Sequence, residues 1–401
     1  MTTRRAIIAA GAGATVLAGL AYRAWDRGVF SAGEGAAFAP WAEWRGADGE
    51  GEVRPLHAAI LAANPHDTQP WLFSVAREVV TVWADRARNL GSFDPFRREM
   101  YLGLGCAIAN LQAAASEFGY SSKPTFASGR LTLSQPDTPV EAARVALVRG
   151  DAPEADLAFG ASLRDLAQAI PRRHTNRTAF KRDKPLPATL VAEWSKVRPE
   201  AAVRVAFVTD APPRLAMSRL IVEATKRIIA DGEMSADSAR WFRTGRREIE
   251  AHRDGVTIDA AGLSPLLRAA AKMLPDVSAE TADKDWLAMT RDSQLPTAPA
   301  LGVILVRDRL DIAQALDAGR AWQFLHLAAT IQGIAAQPLN QPVEMIDRNA
   351  QLGRSDEFAP ALAEIAGVTG WEPTFAFRMG YAEGEAPLSP RRPLSEVLRN
   401  N

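Results

Sequence analysis

Three short segments hold the side chains best suited to chemistry, chiefly the gripping of an anion. The first is Ala62-Ala63-Asn64-Pro65-His66-Asp67-Thr68-Gln69-Pro70-Trp71. Its Asn, Pro, Asp and Thr satisfy backbone groups and hold a turn, and they carry an imidazole, a carboxylate and an amide. The second is Ile170-Pro171-Arg172-Arg173-His174-Thr175-Asn176-Arg177, where three arginines, a hydroxyl and an imidazole suit an anion cradle. The third, Leu388-Ser389-Pro390-Arg391-Arg392-Pro393, lies near the C-terminus. Each has a plainer reading: a rigid loop with Trp71 in the core, a solvated basic linker, and a polar tail. Other chemistries find less support. The five histidines (57, 66, 174, 252 and 326) never stand at i, i+3 or i, i+4, so no helical metal site is indicated. The single cysteine, Cys106, excludes an internal disulfide and multi-cysteine clusters. No G-x-S-x-G occurs, and Cys106 sits mid-helix, where a packed thiol is expected rather than a nucleophile.

Alternating helical and extended patterns must position these segments. Apolar spacing predicts helices at Arg54–Ala63, Arg97–Gly119, Ala158–Ile170, Pro187–Val197, Arg214–Ala230 and Leu310–Gly333. Strands are expected at Trp71–Ala76, Val79–Asp85, Val203–Thr209, Leu301–Arg307 and Thr374–Tyr381, with short extended pieces at Arg130–Leu133 and Arg144–Arg149. Residues 25–51 read as a linker arm, and 151–156 as an acidic linker. The two long helices repeat each other. Gly105–Pro124 aligns without gaps on Gly319–Pro338, with Gly105/Gly319, Leu111/Leu325, Gly119/Gly333 and Pro124/Pro338 among the identities. Two Ala-rich helices can match by composition, but paired C-cap glycines followed by prolines favour a duplication. The expected fold class is α+β, two related halves (52–156 and 157–401) fused into a pseudo-dimer, with a helical cap inserted at 210–300.

Taken together, the three segments resemble the nitroreductase family of FMN-dependent oxidoreductases, and more closely its fused two-half Acg-like branch. Arg173-His174-Thr175-Asn176-Arg177 is similar to the family's arginine-rich stretch that holds the FMN phosphate and ring. The end of the first segment resembles the family's Q-P-W loop, which reaches the flavin from the partner subunit. It departs at the front, where Ala63 and Asn64 replace Pro and Ser and Asp67 replaces Asn. The resemblance implies flavin contacts at Pro65, His66, Asp67 and Gln69, and a phosphate ligand at Arg391. It also implies backbone donors to the ring at Leu339, Asn340 and Gln341. Arg173 and Arg391 would pair with phosphate, Thr175 with phosphate or ribityl oxygen, and Arg177 would stabilise negative charge near N1 and O2. One Q-P-W loop and one cradle per chain imply a single FMN, with electron donor and acceptor exchanging in turn. No catalytic residue of the protein and no metal are implied. A non-catalytic flavin-binding or sequestering protein of the same fold is the alternative, and a scaffold that has lost FMN a third reading.

The N-terminus opens Thr2-Thr3-Arg4-Arg5 and then runs without charge to Tyr22, a pattern resembling a twin-arginine signal. Residues 1–24 are therefore read as an export leader or a retained membrane anchor. Gly11-Ala12-Gly13 lacks the third small residue and the acidic partner of a nucleotide-binding turn. Export implies the twin-arginine machinery as a partner and a periplasmic or outer-face location. The 401 residues carry 47 basic and 47 acidic side chains, which argues against coating nucleic acid. A monomer acting as a pseudo-dimer is expected.

Overall fold

The computed structural model describes residues 17–45, 51–150, 157–196, 202–275 and 277–399. Arg4-Arg5, most of the leader and the acidic linker at 151–156 lie outside the described residues. In the first half, β1 (Trp71–Ala76) and β2 (Val79–Ala84) form a tight hairpin. Helix α1 (Arg98–Glu117) leads to β3 (Tyr120–Phe126) and then β4 (Val140–Arg149). The strands pair antiparallel in the order β1-β2-β4-β3.

The second half repeats that plan. Strand β5 (Val203–Val208) is followed by a long helical connection that opens with α2 (Ala211–Ala230) and includes α3 (Pro265–Met273). Then come β6 (Ala300–Val306), α4 (Ile312–Ile331), β7 (Ala335–Pro338), α5 (Gln341–Gln351) and β8 (Glu372–Gly380). The sheet order is β5-β6-β8-β7, the same relative order as in the first half. Where the first half turns at residues 77–78, the second inserts 209–299 between two paired strands.

Helices α1 and α4 form the centre. Residues Arg98–Ser116 are all buried, and most of α4 is too, which is what helices without a polar face require. Each ends near a glycine in the left-handed region, Gly119 at φ +77° and Gly333 at φ +68°. The start of α4 is capped by the Asp311 side chain, which accepts from the Gln314 N–H. Their crossing is reciprocal: a Cβ on Gly105 would stand 2.0 Å from Leu316 O, and one on Gly319 2.0 Å from Leu102 O. Leu102 and Leu316 stand three residues before the two glycines, at matching positions of the repeat. The Gln323 amide then donates to Asn110 Oδ1 at 2.7 Å across the same interface. The main core joins both helices to the two sheets, and a second cluster lies between sheet two, α2 and α5.

Several expectations are corrected. Only Leu56–Ala59 of the 54–63 helix is α-helical; turns occupy the rest. The 158–170 helix begins at Leu163, after a hairpin pairing Leu157–Ala158 with Ala161–Ser162. Arg130–Leu133 makes one bridge, to Asp311, instead of a strand. Strands β3 and β7 follow the glycine stops although neither was expected. Of the expected 25–51 arm, the described residues 25–45 are fitted to the body, with Trp41 and Trp44 buried. The 210–300 segment is largely helical, yet Met217, Ile221, Ala224 and Ile228 of α2 are core residues, so its first helix is integral.

Candidate functional site

The 64–69 loop sits on α1, where the absence of a Cβ at Gly103 lets Pro65 and Asn64 approach. His66, Asp67 and Gln69 all take positive φ (47°, 53° and 49°), a costly conformation for non-glycine residues. The Asn64 side chain braces it: Oδ1 accepts from Gln69 N at 2.7 Å, and Nδ2 donates to Asp67 Oδ1 at 3.2 Å. The Asp67 carbonyl accepts from Gly255 N at 3.1 Å, bringing the helical insert onto the loop.

Folding brings the other two segments to this loop. Arg391 is 2% exposed; its guanidinium pairs with Asp67 and donates to Ser389 Oγ at 2.7 Å and Ala62 O at 3.2 Å. Arg173, equally buried, donates to Leu61 O at 3.1 Å. Gln69 joins the segments, donating to Arg253 O and accepting from Arg392 N, each at 2.8 Å. Trp41 forms one wall. Its ring lies 4.9 Å from the Arg391 guanidinium, 6.0 Å from that of Arg173 and 4.6 Å from the His174 ring. Its indole N–H donates to Ser389 O at 2.7 Å.

The electrostatics follow from burial. Desolvation raises Asp67 to about 6, although Arg391 pulls the other way. Burial and then Arg391 lower Arg173 to about 9, which leaves it charged at neutral pH. Burial is also the main cause that takes His66 to about 4 and His174 to about 3, so both imidazoles are neutral. Arg177 is half-buried and lowered by burial, and it donates to Ala260 O at 3.3 Å. Arg173 Nε, Arg391 Nε and Asp67 Oδ2 are buried with no hydrogen-bond partner among the described residues. The cluster thus holds more positive than negative charge, with donors left open.

Of the expected contacts, Pro65, His66, Asp67, Gln69, Arg173, His174 and Arg391 converge here. Arg177 faces His66 and Asp67 electrostatically. Thr175 bridges to Ala336 through its backbone, which aligns the arginine segment beside β7. Leu339, Asn340 and Gln341 form no hydrogen bond with the cluster. They lie one layer away, behind Phe93, whose ring is 5.1 Å from that of His66 and which shares an apolar cluster with Leu339. Asn340 accepts from Ala376 N at 3.1 Å and donates to Glu99. Burial raises Glu99 to about 7, and burial followed by the charge of Glu99 raises Glu344 well above the ordinary carboxylate range.

Sequence reasoning missed Trp41 and this acid pair. The Trp-rich arm was a visible signal for the first. Nothing local marked Glu99 and Glu344, which meet only because the start of α1 abuts that of α5.

The class of protein suggested by the whole chain comes from its relatives. It is 24% identical over 351 residues, 86% of this chain and 89% of the other, to “Putative NAD(P)H nitroreductase Rv3131” of Mycobacterium tuberculosis. MT3217 from another strain of that organism matches equally. No protein-family model matches. Solved structures with weaker likeness include the FMN-dependent nitroreductase NfnB of Mycobacterium smegmatis in complex with NADPH. It is 21% identical, with a TM-score of 0.36, over 59% of this chain and 99% of that one. A nitroreductase-type structure from Anabaena variabilis gives a TM-score of 0.41 at 11% identity, over 76% of this chain and 69% of that one.

Proposed function

We propose that this chain is an exported FMN-dependent oxidoreductase of the nitroreductase type, acting on small aromatic or quinone-like acceptors at one site between its halves. The observation that carries the reading is the buried cluster of Arg173, Arg391 and Arg177 with Asp67, in which the Nε groups of Arg173 and Arg391 have no hydrogen-bond partner among the described residues. Such a donor set fits a phosphate monoester. Its near-complete relatives bearing the nitroreductase name support the same class.

Arg173 and Arg391 would hold the phosphate, and Arg177 would set positive charge beside the ring. Bound FMN supplies two-electron chemistry, and the chain supplies placement and field. His66 and His174, neutral through burial, add no competing charge. Trp41 excludes water from the two guanidiniums, so their attraction for an anion is weakly screened. Protons for reduced products come from water, and no side chain is assigned a catalytic role. Arg4-Arg5 and the uncharged run after them support export. The electron donor outside the cytoplasm is then a reductant other than cytosolic nicotinamide.

A second reading, a non-catalytic flavin-holding protein of the same fold, is favoured by one contact: Asp67 already occupies Arg391. Visible spectra of the purified full chain, with flavin quantified after denaturation, test both. One FMN per chain that is reduced and reoxidised supports the oxidoreductase. Tight FMN that neither donor nor acceptor turns over supports the second reading, and no FMN after reconstitution overturns both. Arg173→Ala is expected to abolish retention; unchanged stoichiometry would remove the cradle assignment.

A further inference from the structure

Helix α3 is turned inside out. Its charged side faces the protein: Lys272 is 6% exposed and donates to Asp259 Oδ2 and to Gly28 O, each at 2.8 Å. Arg268 reaches the same carboxylate at 3.4 Å. Its apolar side faces outward, with Leu266 81% exposed and Leu267 exposed, and Leu274 and Val277 in the chain just past the helix are exposed too. In water such a contiguous apolar face is unfavourable and marks a surface that meets something less polar.

The N-terminal helix at 17–26 is fastened beside this face. The Arg23 guanidinium donates to the carbonyls of Met273 and Leu274, the last residues of α3 and its C-cap. Leu17 and Leu20 on it are also exposed. Tyr22 and Trp25 stand 6.0 Å apart between centroids. Arg247 donates to the Tyr22 hydroxyl at 3.0 Å, and Arg246 lies 5.7 Å from the Trp25 ring. In sequence, the uncharged run beginning at Ala6 leads directly into this helix.

We infer that this face docks on a lipid bilayer, with α3 lying in the interface beside the N-terminal segment. Outward leucines, flanking Tyr and Trp, and arginines at the margin are the composition of an interfacial surface. Arg246, and Arg247 beside its own partner Asp26, lie where anionic headgroups would meet them. An apolar run entering at the same place supplies a neighbour that would hold the face against the membrane. Among the described residues no helix is long and apolar enough to cross it, so α3 lies on the bilayer. The outward side chains are not those of the Asp67–Arg391 cluster, and the inference does not depend on any flavin.

The test uses the full chain with vesicles of phosphatidylcholine and phosphatidylglycerol. A fluorophore at Leu267→Cys is expected to be quenched by lipids brominated along their acyl chains. Cys106 is buried and stays unlabelled under native conditions. Leu266→Ser/Leu267→Ser should lower the partition coefficient at least tenfold with near-UV circular dichroism unchanged. Arg246→Gln/Arg247→Gln should weaken binding to the mixed vesicles and not to pure phosphatidylcholine. Co-sedimentation with an unquenched label would mean that the N-terminal stretch binds alone, and would overturn the inference. Absence of vesicle binding would overturn it too. So would a dimer in solution that the Leu266/Leu267 double variant dissociates, since a second copy would then cover the face.

Discussion

Asp67 is the residue on which the pocket turns. In a buried site its carboxylate offsets the repulsion among Arg173, Arg177 and Arg391, yet it occupies the guanidinium best placed for a phosphate. Asp67→Asn keeps the volume and the acceptor for Asn64 while removing the charge. In the proposed reading, FMN affinity rises roughly tenfold, about 1.4 kcal/mol, because phosphate no longer competes with an internal anion. Without flavin the variant is expected to keep or gain Tm at neutral pH, since burial disfavours the ionised carboxylate by more than Arg391 favours it. Fluorescence titration and thermal melts check the two halves, and unchanged affinity would show that Asp67 does not compete. The Glu99–Glu344 pair adds a pH dependence. A carboxyl raised from 4.5 to about 7 binds more protons folded than unfolded, so its stabilising contribution is present in acid and declines as pH rises through that window. Asp67, raised from 3.8 to about 6, acts with the same sign over a lower range. The neutral histidines act oppositely: His66, lowered from 6.5 to about 4, removes stability as pH falls between those values. Above pH 6.5 the acid pair therefore dominates. Tm is expected to fall as pH rises from 6.5 through about 7, and Glu99→Gln/Glu344→Gln to flatten that limb. A limb of unchanged slope in the double variant would remove the assignment.

At the scale of elements, the α1–α4 crossing is the most constrained contact. Helix axes that approach until carbonyl oxygens meet an absent Cβ tolerate only glycine at Gly105 and Gly319. Either glycine to alanine is expected to cost at least about 1–3 kcal/mol by forcing the backbones apart. Because the contact is reciprocal, the double variant should cost less than the sum, as one displacement relieves both clashes. Urea denaturation measures this, and full additivity would argue against a shared displacement. Both helices were visible in sequence as long apolar runs with glycine stops. β3 and β7 were not: Ser121-Ser122-Lys123 and Ala335-Ala336-Gln337 carry little β-propensity. They are strands because β4 and β8 offer them unpaired edges.

At the scale of the whole molecule, two sheets of one topology share a central helix pair, and the second carries a large helical insert. The three chemistry-bearing segments come from residues 61–69, 173–177 and 389–392, and meet only when the halves close. Replacing Arg4-Arg5 with Lys-Lys is expected to retain the protein in the cytoplasm, with cell fractionation as the readout; normal translocation would refute twin-arginine export. Removing the arm's contribution by Trp41→Ala should open the pocket and weaken anion binding several-fold, checked by titration with FMN or inorganic phosphate.

By itself, the sequence determined the α+β class, the central helices and the three segments, because periodicity, glycine stops and clustered arginines are local signals. Partnerships were decided only in three dimensions. The sequence could not tell whether Asp67 meets Arg391, whether Glu99 and Glu344 are buried together, or which side of α3 faces water. Each depends on chain segments tens to hundreds of residues apart, and on the desolvation that their contact imposes.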